Sequence, residues 1–154
     1  MDRRKAKRSA RSKGFHYERV LARKLWSKGF AVVRGPGSGG GSSEIVQPDL
    51  IALKNGHIFA FEIKVRWKRT TIYLEKEKIE RLKEFARRAK GRAFIAVKIV
   101  DKTDWRFLPV ETIENTKKGN YKITPVNMLK GLTIDELNTL TQPVKKLDEY
   151  MDID

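Results

Sequence analysis

Asp49, Glu62 and Lys64 are the residues whose types and spacing could do chemistry together. They lie in the run from Pro48 to Lys64, which reads as two apolar, β-branched strands joined at Asn55-Gly56. Asn-Gly tolerates the positive φ of a type I′ turn, so the run predicts a hairpin with a two-residue loop. That loop sets the register: Lys54 faces His57, and the pairs step outward to Leu50–Phe61 and then Asp49–Glu62. The pair beside the turn is hydrogen-bonded, so counting makes Asp49–Glu62 a non-hydrogen-bonded pair, the kind with the closest side chains. Two carboxylates ~4 Å apart repel by roughly 4 kcal/mol at an effective dielectric near 20, and something cationic has to offset that. A hard divalent ion such as Mg²⁺ takes carboxylate oxygens. Lys64 follows Glu62 by two residues and so shares its face.

Two acids and a lysine suit metal-assisted phosphodiester hydrolysis: the metal polarises the phosphate and acidifies a water, and the lysine orients that water or stabilises charge. The plainer reading is a surface hairpin with an incidental ion pair from Glu62 to Lys64 or Lys54. Against it, Leu50, Ala52, Phe59, Phe61 and Ile63 make one face apolar, and Ile51, Leu53, Ile58 and Ala60 the other. A hairpin buried on both sides has little reason to end in charges without a task.

The elements around the hairpin must position these groups. Residues 14–28 predict a helix, ended by Gly29. At ~100° per residue, Phe15, Leu21, Ala22, Leu25 and Trp26 fall within roughly 80° of Glu18, which puts a carboxylate inside the apolar stripe. Glu18 either points at the metal site as a third acid or leans out to pair with Arg23 or cap amides. Arg19 beside it reaches phosphate or solvent. Phe30 to Arg34 is a strand, followed by the glycine–serine stretch from Gly35 to Ser43. Gly35, Gly37 and Gly40 match the dinucleotide-binding glycine spacing, but a strand and not a helix follows, and no lysine completes a phosphate loop. The stretch reads as a mobile loop whose serines and amides touch a nucleic-acid backbone, or as an inert linker. Beyond Lys64, Arg66, Trp67, Lys68 and Arg69 interleave cations with an aromatic, which suits phosphate contact plus stacking or wedging against bases. A helix over 75–90 buries Ile79, Leu82, Phe85, Ala86 and Ala89 with Gly91 as its cap; strands follow at 93–99 and 105–109. His16 and His57 are too scattered for a metal cluster.

Thirty-four Lys and Arg against nineteen Asp and Glu leave a net charge of +15 in 154 residues, which points to a polyanionic partner. No apolar run approaches the ~20 residues of a membrane helix, and no secretory h-region follows the basic start, so nucleic acid is favoured over membrane. The absence of cysteine excludes disulfides and thiolate sites and suits a reducing, cytoplasmic interior, with nucleoid association expected from the charge. Residues 1–13 read as a disordered basic arm, 14–135 as one folded domain, and 136–154 as an acidic, flexible tail. Leu147, Tyr150, Met151 and Ile153 in that tail could dock on a protein partner.

Pro48-Asp49 followed by Glu62-Ile63-Lys64 resembles the nuclease signature P-D-x(n)-(D/E)-x-K. With it come Lys13, Gly14, Glu18 and Arg19, then Gly29 to Arg34, Gly37-Ser38 and Trp105-Arg106-Phe107. That ordered set is similar to the archaeal Holliday junction resolvases over roughly residues 13 to 135. The resemblance implies an α/β, restriction-endonuclease-like fold: a central mixed β-sheet flanked by α-helices. It implies a metal-dependent homodimer, using Mg²⁺ with Mn²⁺ able to substitute, that nicks a four-way DNA junction symmetrically in recombination and repair. Glu18, Asp49 and Glu62 would be its acids, with the Ile63 backbone carbonyl completing the metal set; Lys64 would be the catalytic lysine, and Arg19, Arg34 and Ser38 support. The stretch from Ser38 to Asp49 is longer than usual for that family, so Ser42 or Ser43 could replace Ser38. A duplex-cutting restriction or repair nuclease of the same fold is the alternative, and a non-catalytic architectural protein a further one.

Overall fold

The computed structural model describes residues 16–35 and 45–143. The basic arm over 1–13, Ser38, Ser42, Ser43 and the tail from 144 on lie outside the described residues. Residues 16–27 are helical (α1). Then come β1 (Ala31–Arg34), β2 (Leu50–Lys54), β3 (His57–Arg66), β4 (Ile72–Leu74), α2 (Lys76–Ala89), β5 (Arg92–Ile99) and β6 (Arg106–Pro109). A 3₁₀ turn (Val110–Thr112), β7 (Glu114–Asn115), β8 (Tyr121–Ile123), α3 (Pro125–Met128) and α4 (Ile134–Thr139) complete the chain.

Five strands form a mixed sheet in the order β1-β2-β3-β5-β6, in which β3 and β5 are parallel and the other neighbours antiparallel. A parallel pair needs a crossover, and α2 supplies it, so the helix begins at the end of the sheet where β3 finishes. Asn55 and Gly56 take φ of 49° and 80°, and Lys54 opposes His57 as the Asn-Gly turn predicts, with the register running out to Leu50–Phe61. Along β5, Phe94 and Ala96 face one side while Ala93, Ile95, Val97 and Ile99 face the other, and all six are buried. Two cores result. Leu21 and Leu25 of α1 and Leu137 of α4 cover the face of Phe59, Phe61 and Phe94. Ile79, Leu82 and Ala86 of α2 cover the opposite face, together with a second, three-stranded sheet of order β4-β8-β7.

Several expectations are corrected. Trp26 is 68% exposed and leaves the α1 stripe, which narrows to Leu21 and Leu25 with Ala22 packed alongside. The left-handed cap of α2 is Lys90, at φ 53°, and not Gly91. Gly91 is required for a different reason: a Cβ there would run into the Ile58 carbonyl. The small sheet escaped the sequence reading because strands of two or three residues carry no measurable period. The expected domain boundary at 135 also moves. Thr133 and Glu136 form a capping box that opens α4, and Leu137 and Thr141 are wholly buried. Lys54 donates to Asn138 Oδ1 at 2.7 Å and Asn55 donates to the Thr141 carbonyl at 2.9 Å, so α4 clamps the turn that sets the hairpin register. The run 133–143 is largely polar, but Thr133-x-x-Glu136 is a capping-box signature and Ile134, Leu137 and Leu140 recur at helical spacing, signals that the boundary at 135 cut through. Among the described residues no helix is long and apolar enough to cross a membrane.

A chain stopped after Asp135 should therefore unfold at markedly lower urea than one stopped after Pro143. Leu137→Ala alone should cost about 2–4 kcal/mol. A cost below about 1 kcal/mol would remove α4 from the fold's stable body.

Candidate active site at the end of the sheet

Asp49 sits where β2 leaves the ladder. Its amide donates to the Phe61 carbonyl at 3.0 Å, and its own carbonyl accepts from Gly35 on the β1 side at 2.9 Å. A Cβ at Gly35 would collide with the Pro48 carbonyl, so glycine is needed here for close backbone approach. The Ile63 amide donates not to a backbone oxygen but to Asp49 Oδ2, at 2.8 Å. A side-chain acceptor thus replaces a ladder bond and holds the carboxylate against β3 at the end of the sheet. Gly35→Ala should displace Pro48-Asp49 and lower any activity of the site by at least ten-fold, with a smaller effect on thermal stability. Full activity in that variant would show that the loop can move without disturbing the acid.

Glu62 projects from β3 beside Asp49, within hydrogen-bond reach of it when one of the two is protonated. Lys64, two residues on, places Nζ 3.5 Å from Glu62 Oε1; the two side chains are 18% and 22% exposed. Burial, and then the Asp49 charge, raise the Glu62 carboxyl to about 7, while Lys64 and Lys78 pull it down. Glu18 enters from the α1 layer. Burial first and the Asp49 charge second raise its pKa, and Arg34 lowers it. Arg34 Nη2 lies 4.0 Å from Glu18 Oε2. Register explains that pairing: Arg34 opposes Leu50, whose side chain lies on the α1 face. Asp49 is the shared neighbour, its charge felt by Glu18 from one layer and Glu62 from the other.

These residues were expected to come together, and the structure brings Glu18, Arg34, Asp49, Glu62 and Lys64 to one end of the sheet. Lys78 was missed. It lies in the first turn of α2, and only the crossover geometry places its charge near Glu62. Arg19 is exposed, and Ser38 lies outside the described residues. Of the basic cluster, Arg66 Nη1 folds back to the Val65 carbonyl at 2.9 Å, while Lys68 and Arg69 are exposed. Trp67 is 47% exposed, with its ring edge-on to Tyr17 of α1 at 6.2 Å.

Among the described residues no three His, Cys, Asp or Glu side chains form a ready-made metal cage. The donors are instead the adjoining pair Asp49 and Glu62, whose mutual repulsion a hard cation would relieve. That fits Mg²⁺, which is commonly bound through one or two carboxylates, retained waters and a substrate phosphate.

The family model for archaeal Holliday junction resolvases (Hjc) matches residues 9–145. The chain belongs to that family. It is 38% identical over 145 residues to the crossover junction endodeoxyribonuclease Hjc of Sulfolobus acidocaldarius, covering 93% of this chain and 99% of that protein. The Sulfurisphaera tokodaii enzyme of the same name is 40% identical over 129 residues, covering 84% and 88%. The solved structure of Archaeoglobus fulgidus Hjc, a Holliday junction resolvase from an archaeal hyperthermophile, superposes with a TM-score of 0.73 at 35% identity. It covers 81% of this chain and 99% of its own. The fold is therefore the restriction-endonuclease-like α/β fold that the sequence motif resembles.

A carboxyl that titrates at about 7 in the folded chain and at 4.5 in the unfolded one holds more protons when native across that interval. Metal-free stability should fall as pH rises from 4.5 to 7 and level off above, by at most about 3 kcal/mol at 1.36 kcal/mol per unit. Glu62→Gln should raise the metal-free melting temperature at pH 8 and leave it unchanged at pH 4.5. An equal gain at both pH values would mean that the charge on Glu62 carries no such cost.

Proposed function

We infer that this chain is a crossover junction endodeoxyribonuclease, a structure-selective DNA endonuclease that resolves four-way junctions in recombination and repair. The observation that carries the reading is the convergence of Glu18, Asp49, Glu62 and Lys64 at one end of the sheet of a chain that belongs to this family. Asp49 and Glu62 would hold a divalent cation, Mg²⁺ with Mn²⁺ able to replace it, together with the Ile63 carbonyl; Glu18 would complete the set directly or through water. Such a cation, when bound, polarises the scissile phosphate and acidifies a water. Lys64 would donate to the attacking water from its place beside Glu62 and balance negative charge on the non-bridging phosphate oxygens as the 3′–O–P or 5′–O–P bond gives way. Arg34 faces Glu18 across the site edge and can pass to a phosphate oxygen when DNA arrives.

A C₂ homodimer would present two such sites with the two-fold symmetry of the junction itself, so that paired nicks fall symmetrically. Arg19, Arg66, Trp67, Lys68 and Arg69 would add backbone and base contacts. The seven cations of residues 1–13 would add salt-dependent affinity.

Asp49→Ala or Glu62→Ala should abolish cleavage of a synthetic four-way junction in Mg²⁺ while leaving junction binding equal or tighter, because a negative charge facing phosphate is gone. Lys64→Ala should lower the cleavage rate by several orders of magnitude with little change in affinity. An acid variant that still cuts near the wild-type rate would move the active site elsewhere. Cleavage of linear duplex as fast as junction would favour a duplex-cutting nuclease of the same fold.

A further inference from the structure

The turn between β7 and β8 carries two lysines that the active site does not use. Thr116 donates to Asn120 and Gly119 to Thr116, at 2.7 and 3.0 Å, with Gly119 at φ 87°, so the turn is built and not merely a loose excursion. Lys117 and Lys118 stand exposed at its tip. Asn120 Oδ1 accepts the Lys76 amide of α2 at 3.1 Å, which ties the turn to the start of the helix that brings Lys78 to Glu62. Between the turn and β4 runs an open groove of about 580 Å³, lined by Tyr73, Glu75, Lys117, Lys118 and Asn120 among others. Tyr73, in register with Lys122, turns 69% of its surface to solvent while its neighbours Ile72 and Leu74 are buried.

Several basic residues of the α2 layer are neutralised by nearby carboxylates. Arg87 and Arg88 are paired with Glu84, Lys83 with Glu80 and Lys122 with Glu114. Among the described residues no carboxylate pairs with Lys117 or Lys118, and Glu75 alone brings negative charge to the groove wall. Two uncompensated cations on a braced turn and an exposed phenol on the facing strand β4 match a row of phosphates, which Lys and Tyr side chains contact in nucleic-acid complexes. Lys76, whose amide the turn holds, is two residues, or about 3 Å of helix axis, from Lys78 beside the carboxylates. The groove and the carboxylates thus flank the same first turn of α2.

We propose that the groove between β4 and the β7–β8 turn seats the backbone of the duplex arm that continues past the scissile phosphate, with Lys117 and Lys118 on phosphates and Tyr73 against the sugar edge. The proposal rests on the DNA-endonuclease reading and adds to it a second contact region outside the cutting site. Phosphate contacts position the nucleic acid, so the groove would set how the arm leaves the cut.

The test measures binding of the full chain to a synthetic four-way junction, in EDTA, across a salt series. Lys117→Gln/Lys118→Gln should bind about ten-fold more weakly near 0.1 M salt, with a log–log salt slope shallower by up to roughly 1.8. Tyr73→Ala should weaken binding without changing that slope. Lys102→Gln/Lys130→Gln removes the same charge from exposed lysines elsewhere and should have a markedly smaller effect. Hydroxyl-radical footprints should lose protection on the arm beyond the cut site in the groove variants alone. Affinity and footprint equal to wild type in the Lys117/Lys118 variant would overturn the groove and leave the nuclease reading intact. An equal loss in the Lys102/Lys130 control would overturn it too, because net charge and not the groove would then be responsible. A wild-type chain that binds junctions but never cuts them in Mg²⁺ would sink the nuclease reading, while the binding comparison still decides the groove.

Discussion

The bond from the Ile63 amide to Asp49 Oδ2 governs the geometry of everything at this end of the molecule. An antiparallel ladder would normally give that amide a backbone oxygen. Here the Pro48 carbonyl is turned toward Gly35, and the Asp49 side chain takes its place. An acid held this way cannot swing out to solvent without orphaning a backbone donor, at a cost of about 1–3 kcal/mol. The departure from regular pairing at Pro48-Asp49 is thus what makes the carboxylate rigid. Glu62 and Lys64 inherit their places from the same strand, two residues apart on the α2 face.

Around that anchor the electrostatics are unfavourable by construction. Burial and a neighbouring carboxylate push Glu62 up to about 7 in a chain whose net charge is +15, where cations are plentiful. Lys64 and Lys78 lower it without cancelling the burial, and Arg34 does the same for Glu18. A purely structural site would pair each acid fully. The two layers instead bring carboxylates to either side of Asp49, Glu18 from the α1 side and Glu62 from the α2 side, and the neighbouring cations Arg34, Lys64 and Lys78 leave the burial of both acids uncompensated. Burying like charges side by side costs stability, a trade expected where function and not folding has set the residues.

Much of this was legible in the residues because it is local. Asn55-Gly56 dictates its turn, the turn dictates the register, and alternation puts Glu62 and Lys64 on one face. Glu18 could be singled out because a carboxylate interrupts an apolar stripe. What failed to show were features made by contact between distant segments. Trp26 fits the α1 stripe by angle yet stays exposed, because the packing of α1 on the sheet stops at Leu21, Ala22 and Leu25. Lys78 resembles every other lysine of a solvated helix face until the crossover lays the first turn of α2 beside β3. Leu137 and Thr141 lie in a largely polar run and are buried where it packs against the hairpin, with Lys54 and Asn55 bonding to it. The strands of the small sheet are too short to have a period, and their burial comes from packing with α2 and the β5 face of the main sheet.

Read alone, the chain specified the hairpin and the face its charges share, because turn chemistry and two-residue alternation act over a few bonds, while its ordered motifs carried the family resemblance. Tertiary structure alone decided that Asp49 stands between two layers of carboxylates, that Gly35 must be glycine, and that α4 belongs to the fold. Each depends on segments well separated along the chain being forced into van der Waals contact. The physical reason is that close backbone approach and burial are properties of pairs of surfaces, and one surface read alone does not specify what will cover it.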